Sequence, residues 1–207
     1  MTLFTEKKLI LATHNDGKID EFKSILRTTD LELLSSKDFN LPEPKETETS
    51  FIGNARIKSR ASCQATNLPC LADDSGLEVH ALDNQPGVYT ADWAETENGR
   101  DFKKAMNLVW NKLTLTKMEK PFTANFSCTL VLTFPNGIEK IFEGKVPGEI
   151  VWPIRGPTGH GYDPIFLPSG HNMTFGEMNT IKKNTISHRY RALKKFIKFY
   201  QKYYTSN

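Results

Sequence analysis

The sequence predicts an α/β protein whose mixed β-sheet is flanked by helices. Two observations carry this. Apolar runs of strand length alternate with stretches of helical three-four spacing, which demands crossover connections. Farther on, two long strand-like runs flank a Pro-Asn-Gly turn, the signature of a hairpin. Crossovers make parallel neighbours and hairpins antiparallel ones, so the sheet is mixed.

Element by element, "KLILAT" from Lys8 to Thr13 reads as a short buried strand. "HNDG" follows as a turn, and a helix begins at Lys18 with Ile19, Phe22, Ile25 and Leu26 on one face. "LELLS" is a candidate second strand, and "LPEPKETETS" a polar, proline-bearing loop. The second helix is "SFIGNARIKSRASCQATN", capped by Thr49 or Ser50. "CLADDSGLEVHAL" reads as a strand, a tight loop at Ser75-Gly76, and another strand. "QPGVYTADWAETENG" is loop-like. In "DFKKAMNLVWNKL" a helical stripe joins Phe102, Met106, Val109 and Leu113. "FTANFSCTLVLTF" and "IEKIFEGKVPGEIV" are the hairpin strands, and "RGPTGHGYDPIFLP" is a glycine-rich loop. The closing helix carries Tyr190, Leu193, Phe196, Ile197 and Tyr200 as its apolar stripe.

The chain has 207 residues, enough for one large domain or two small lobes, with 38% hydrophobic and 25% charged residues. A net charge of +3 does not by itself imply nucleic acid. Three cysteines, Cys63, Cys70 and Cys128, cannot all pair within one chain and match no zinc spacing, so free thiols in a reducing compartment are expected. The first apolar run is too short and too lysine-interrupted for a signal peptide, and no stretch approaches the roughly 20 apolar residues of a membrane helix. A soluble cytoplasmic protein is the default expectation.

Five stretches have residue types suited to chemistry. In "THNDGK" a strand gives way to a helix start, where backbone N–H groups and Lys18 suit a phosphate; a plain strand-to-helix turn is the alternative. In "LADDSG" two adjacent acids, Asp73 and Asp74, repel each other, and a hard divalent cation would relieve that repulsion. One of the two could instead act as a general base, and a solvated acidic turn is the bland reading. In "KETETSFIGNARIK" the acids Glu46 and Glu48 precede a helix on which Asn54 and Lys58 share a face. That arrangement suits either a metal–phosphate complex or surface ion pairs. In "GPTGHGYDPIF" a stiff glycine loop could hold a flat ring: Tyr162 or His160 can stack and Asp163 can accept from a ring N–H, unless the loop is merely structural. Last, the segment from Lys182 to Asn207 has eight Lys/Arg and no acid. Ser187 can cap its helix, which places His188 and Arg189 where a bound anion would be welcome.

Together, "THNDGK", "SFIGNARIK", "LADDSGLEV", "HGYDPIF" and "ISHR" stand in the order of the signatures T-x-N-x-x-K, S-F-x-x-N-A-x-x-K, A-D-D-S-G-L, G-Y-D-P-x-F and S-H-R. The chain thereby resembles the inosine triphosphate pyrophosphatases, also called non-standard purine nucleoside triphosphate pyrophosphatases, over Thr13 to Arg189. The resemblance implies an elongated mixed sheet between two lobes with a central cleft, in one pyrophosphatase domain over residues 1–207, and a homodimer. It implies magnesium-dependent cleavage of ITP, dITP and XTP between the α and β phosphates, which yields a monophosphate and pyrophosphate and keeps deaminated purines out of nucleic acid. By motif, Asp74 would be the catalytic base and, with Glu46, the Mg2+ site. Thr13, His14, Asn15, Asp16, Gly17 and Lys18, with Lys58, would hold phosphate, and Ser75 would touch substrate. His160, Gly161, Tyr162, Asp163, Lys183, His188 and Arg189 would frame base and sugar. Neither nucleic acid nor membrane is an expected partner. Two departures stand out: His160 replaces a frequent Phe, and Gly53 a frequent Glu. The rival readings are a related pyrophosphatase for modified pyrimidine nucleotides and a nucleic-acid-binding module built on the basic last helix.

Overall fold

The computed structural model describes residues 7–204. The start of the chain, the last residues of the basic run, and so the full 1–207 extent expected for the domain, lie partly outside the described residues. Strands are β1 (Lys8–Leu11), β2 (Glu32–Ser35), β3 (Cys70–Val79), β4 (Gln85–Pro86), β5 (Glu95–Thr96), β6 (Gly99–Arg100), β7 (Phe122–Thr133), β8 (Glu139–Ile150) and β9 (Phe166–Pro168). Helices are α1 (Asp16–Leu26), α2 (Phe51–Thr66), α3 (Phe102–Leu115), α4 (Thr180–Ile186) and α5 (His188–Tyr204).

The sheet is mixed, as expected. Its order is β2-β1-β3-β7-β8-β9, with β4 added on β3. β1 runs parallel to both β2 and β3, because α1 and α2 are the crossovers that join them. The turn between β7 and β8 closes through Phe134 N–H donating to the Ile138 carbonyl and Gly137 N–H donating to the Phe134 carbonyl, both at 2.9 Å. β8 and β9 are antiparallel.

The chain divides into two compact units. The first comprises residues through Asp74, Cys128–Gly144 and the chain from Arg189; its core packs Leu9, Leu11 and Phe22 with Leu130, Phe142, Leu193, Phe196 and Tyr200. The second comprises Ser75–Ser127 and Lys145–His188; its core packs Leu77, Met106, Val109, Leu113, Phe126, Phe166 and Phe175. The helical stripes read from spacing are the buried faces: Ile19, Phe22 and Leu26 on α1, and Ala105, Met106, Val109 and Leu113 on α3.

Four expectations are corrected. The "ADDSG" stretch is neither a strand end nor a loop: β3 is one strand of ten residues, and both aspartates lie within it. Helix α1 begins at Asp16 rather than Lys18, since Asn15 caps it by accepting from the Lys18 N–H, so Asp16 and Gly17 are helical. Residues 85–100 are not featureless loop but hold β4, the β5–β6 pair and two 3-10 turns. Helix α4, capped by Asn179, stands before α5 and was not expected. Of the two caps offered for α2, Ser50 is the one used, accepting from the Gly53 N–H. Cys63, Cys70 and Cys128 are free and buried, as anticipated, and burial pushes the Cys70 thiol up to about 12.

Candidate active site

The first unit contains the charge clusters around Asp73 and Asp74. Successive residues of a strand face opposite sides of the sheet, so the aspartates of β3 part company. Asp73, 1% exposed, is the hub of a cation cluster. Lys18 Nζ donates to it at 3.1 Å, and Arg189 reaches its Oδ2 through Nε at 3.3 Å and Nη2 at 3.1 Å. The same guanidinium holds Glu21 on α1 through Nη1 at 2.5 Å. Burial alone would raise the Asp73 pKa; Lys18, Arg189 and Lys58 outweigh it and hold the carboxyl well below the usual range.

Asp74 lies in different company. The Asn54 amide Nδ2 donates to its Oδ2 at 3.2 Å, and Asn54 Oδ1 accepts the Glu48 N–H at 2.9 Å. One helical turn on, Lys58 Nζ contacts Glu46 Oε1 at 2.5 Å. Burial raises the Asp74 pKa, and the Glu46 and Asp73 charges add to it; Lys58 and Lys18 oppose, and the carboxyl settles at about 6. Lys58 is itself 5% exposed. Burial lowers its pKa, but Asp73, Asp74 and Glu46 together raise it above the ordinary lysine value, so it stays charged at neutral pH.

The departure at Gly53 has a steric cause. A Cβ there would come within 2.5 Å of the Glu48 Cβ, so the Glu48 side chain fills the space a larger residue 53 would need. In the "THNDGK" segment, Asn15 N–H donates to Thr13 Oγ1 at 3.2 Å, His14 Nε2 donates to the Leu41 carbonyl at 2.8 Å, and Asp16 pairs with Lys37. The Asn15 cap and the first turn of α1 thus place Lys18 against Asp73.

In the second unit the glycine loop is shaped around Asp163, which accepts the His160 N–H at 2.6 Å and pairs with Lys183. Gly159 has φ +93°, and a Cβ on it would stand 2.5 Å from Asp163 Oδ2, so glycine is required there. Asp163 was expected to accept from a ligand's ring N–H; its contacts here are to its own loop and to α4. Tyr162 was offered as a stacking face and is instead a core residue. It is 1% exposed, lies edge-on to Phe102, and donates its hydroxyl to the Thr90 carbonyl. His160 is exposed, which leaves it the ring of the two that can meet a base. The His188 ring stacks on Phe126 at 5.0 Å, Lys183 Nζ sits 5.6 Å over the Phe175 ring, and Ser75 is half-buried.

Sequence reasoning missed Glu21 as the second acid on Arg189; its only local sign was its position three residues after Lys18 on α1. Arg189, expected beside the substrate, has a side chain 9% exposed that holds Asp73 and Glu21.

The model of the Ham1 family matches residues 9–199, which span the described elements from β1 into α5. The chain belongs to the Ham1 family. A dITP/XTP pyrophosphatase of Ruegeria pomeroyi is 52% identical over 195 residues, covering 94% of this chain and 96% of that one. A HAM1 protein from Coxiella burnetii has the same fold at a TM-score of 0.88, with 33% identity over 94% of this chain and 98% of its own. The Ham1 protein of Staphylococcus aureus follows at 0.83, with 34% identity over the same shares. The mixed, helix-flanked sheet expected from the motifs is therefore the Ham1 fold.

Proposed function

We propose that this Ham1-family chain, acting as one domain over residues 1–207, hydrolyses the non-standard purine nucleotides ITP, dITP and XTP to the monophosphate and pyrophosphate. The observation that carries the reading is the contrast within Asp73–Asp74. One carboxylate is held well below the usual range by Lys18 and Arg189, and its neighbour is raised to about 6, in a chain 52% identical to a protein named dITP/XTP pyrophosphatase.

A carboxyl at about 6 is matched to general-base work near pH 7. Asp74 takes the proton of the attacking water and delivers the resulting nucleophile to the α phosphorus. Asn54 fixes the carboxylate's orientation. Asp73 holds Lys18 beside the N-terminus of α1, where Thr13, His14, Asn15, Asp16 and Gly17 line the approach and phosphate oxygens meet positive charge. Lys58 offers a second cation to the departing pyrophosphate. His160 gives the base a face, and Lys183 and His188 are the donors suited to a 6-keto oxygen, with Ser75, Gly161 and Asp163 shaping the surroundings.

Among the described residues no cluster of three or more His, Cys, Asp or Glu is assembled as a metal site. The donor set nevertheless fits Mg2+, which commonly takes one or two carboxylates and completes its shell with water and substrate phosphate. Glu46 and Asp74, both facing Lys58, would be those carboxylates. When bound, the ion supplies charge neutralisation and polarises the phosphoryl oxygen. A homodimer in the cytoplasm, with no nucleic-acid or membrane partner, completes the proposal; among the described residues no helix is long and apolar enough to cross a membrane.

The test is hydrolysis of ITP, dITP, XTP, GTP and ATP with Mg2+, with pyrophosphate and orthophosphate measured separately. Pyrophosphate release with a large preference for the deaminated purines is expected. Orthophosphate release, or equal turnover of ATP and ITP, overturns the reading.

A further inference from the structure

The cluster around Lys58 contains more than the proposed reaction uses. Its ammonium is buried on α2, 2.5 Å from Glu46, and interacts with the charges of both Asp73 and Asp74. Asn54, one turn earlier on the same face, joins the Glu48 main chain to Asp74. Helix α2 thus ties the acidic loop and strand β3 together at two successive turns, once through an amide and once through a full positive charge. The two carboxylates that suit a divalent cation are the same two that this lysine neutralises.

From this we infer that Lys58 is an internal counter-cation that occupies the electrostatic place of the metal in the nucleotide-free protein and couples metal binding to nucleotide binding. The inference rests on the proposed function, whose metal carboxylates it takes as given. Its physical basis is charge balance. A divalent ion entering between Glu46 and Asp74 meets an ammonium whose side chain is 7% exposed, and like charges at close range repel even though Glu46, at 37%, opens to solvent. A polyphosphate brings negative charge for both cations at once: the ammonium turns from Glu46 to a phosphate oxygen, and the carboxylate it leaves is available to the ion. Metal therefore binds weakly alone and tightly with nucleotide, and by linkage the nucleotide binds tightly only with metal.

This reading has an uncommon sign. A lysine that merely supports the fold, or that helps shape the metal site, would weaken metal binding when removed. A competing counter-cation would strengthen it. The experiment is titration of Mn2+ into the nucleotide-free protein, followed by electron paramagnetic resonance and by calorimetry, for the wild type, Lys58→Met and Lys58→Arg. Lys58→Gln, which keeps a hydrogen-bond donor for Glu46, is the second neutral variant should Lys58→Met fail to fold. Either neutral variant is expected to bind Mn2+ at least about tenfold more tightly than the wild type, and Lys58→Arg to bind it no more tightly. In the wild type, a non-hydrolysable α,β-methylene analogue of ITP should tighten Mn2+ binding by a larger factor than in the neutral variants. Unchanged or weaker Mn2+ binding in a folded neutral variant overturns the inference, as does tight binding by Lys58→Arg. The proposed function fails separately: a wild type that releases no pyrophosphate from ITP, dITP or XTP refutes it whatever the Mn2+ titrations give.

Discussion

Asp73 and Asp74 are chain neighbours on one strand, yet the first is held by Lys18 and Arg189 and the second by Asn54. The alternation of β3 gives each acid its own surroundings, and burial among opposite or like charges then drives their pKa values apart.

Replacing Asp74 should make the protein more stable while disabling it. A carboxyl raised from 3.8 to about 6 contributes stability that is fully present below its unfolded value and is lost as pH rises through about 6. Asp74→Asn removes that loss, by on the order of 2–3 kcal/mol at pH 8. Denaturant melts should show the variant ahead of wild type at pH 8 and the gap closing between pH 6 and 4. Its turnover of ITP should fall by orders of magnitude. A variant less stable than wild type at pH 8 would contradict the raised value.

Asp73→Asn should do the reverse. The folded carboxyl is held low, so its stabilising effect is present above the unfolded value and fades as pH falls through it toward acid. Removing one partner of a buried charge cluster costs roughly 3–5 kcal/mol. Urea midpoints at pH 7 should drop accordingly, and Lys18, no longer held in place, should bind phosphate less well, seen as a raised KM. Wild-type stability would refute the hub role.

Glu46→Gln and Asp74→Asn should not add. If both act through one ion, the double variant should be scarcely slower than Asp74→Asn alone, and Glu46→Gln by itself should chiefly raise the magnesium requirement. Single-turnover hydrolysis of ITP across a magnesium titration decides this, and fully additive losses would separate the two carboxylates.

His160 should act through its ring. Base stacking is worth roughly 1–3 kcal/mol, so His160→Ala should cost about one to two orders of magnitude in kcat/KM, mostly through KM. His160→Phe should retain activity. Phe as harmful as Ala would replace stacking with a polar contact.

Tyr162→Phe supplies the contrast within the same loop. It removes the hydroxyl that Thr90's carbonyl accepts and leaves that carbonyl short of a partner, at a cost of about 1–3 kcal/mol. Thermal melting should register the loss while KM for ITP stays near the wild-type value. A KM effect on the scale of His160→Ala would return Tyr162 to the substrate.

Periodic features were legible from the sequence. The stripes of α1, α3 and α5 and the hairpin of β7 and β8 follow from spacing and a turn, which are local properties. Strand β3 was misread because Asp-Asp-Ser-Gly has turn chemistry, whereas its partners come from distant segments: β1 and β7 flank it in the sheet, and Lys18 is 55 residues from Asp73 and Arg189 is 116. Helix α4, with seven residues, is too short to display a period. Tyr162 and His160 look alike as aromatic residues beside glycine; only burial distinguishes them, and burial belongs to the packed core. The motifs named which residues matter around Asp74. Which of them touch, and that Asn54 and Glu21 complete the set, depends on contacts between segments that are distant in the chain.

Because the two aspartates lie inside a paired strand, their roles are assigned by parity. Slipping β3 by one residue against β1 would turn every side chain to the opposite face and exchange the two acids, base for hub. Inserting or deleting an odd number of residues between Cys70 and Asp74 would make the same exchange, whatever residues were added. The chemistry of this stretch is fixed by counting as much as by composition.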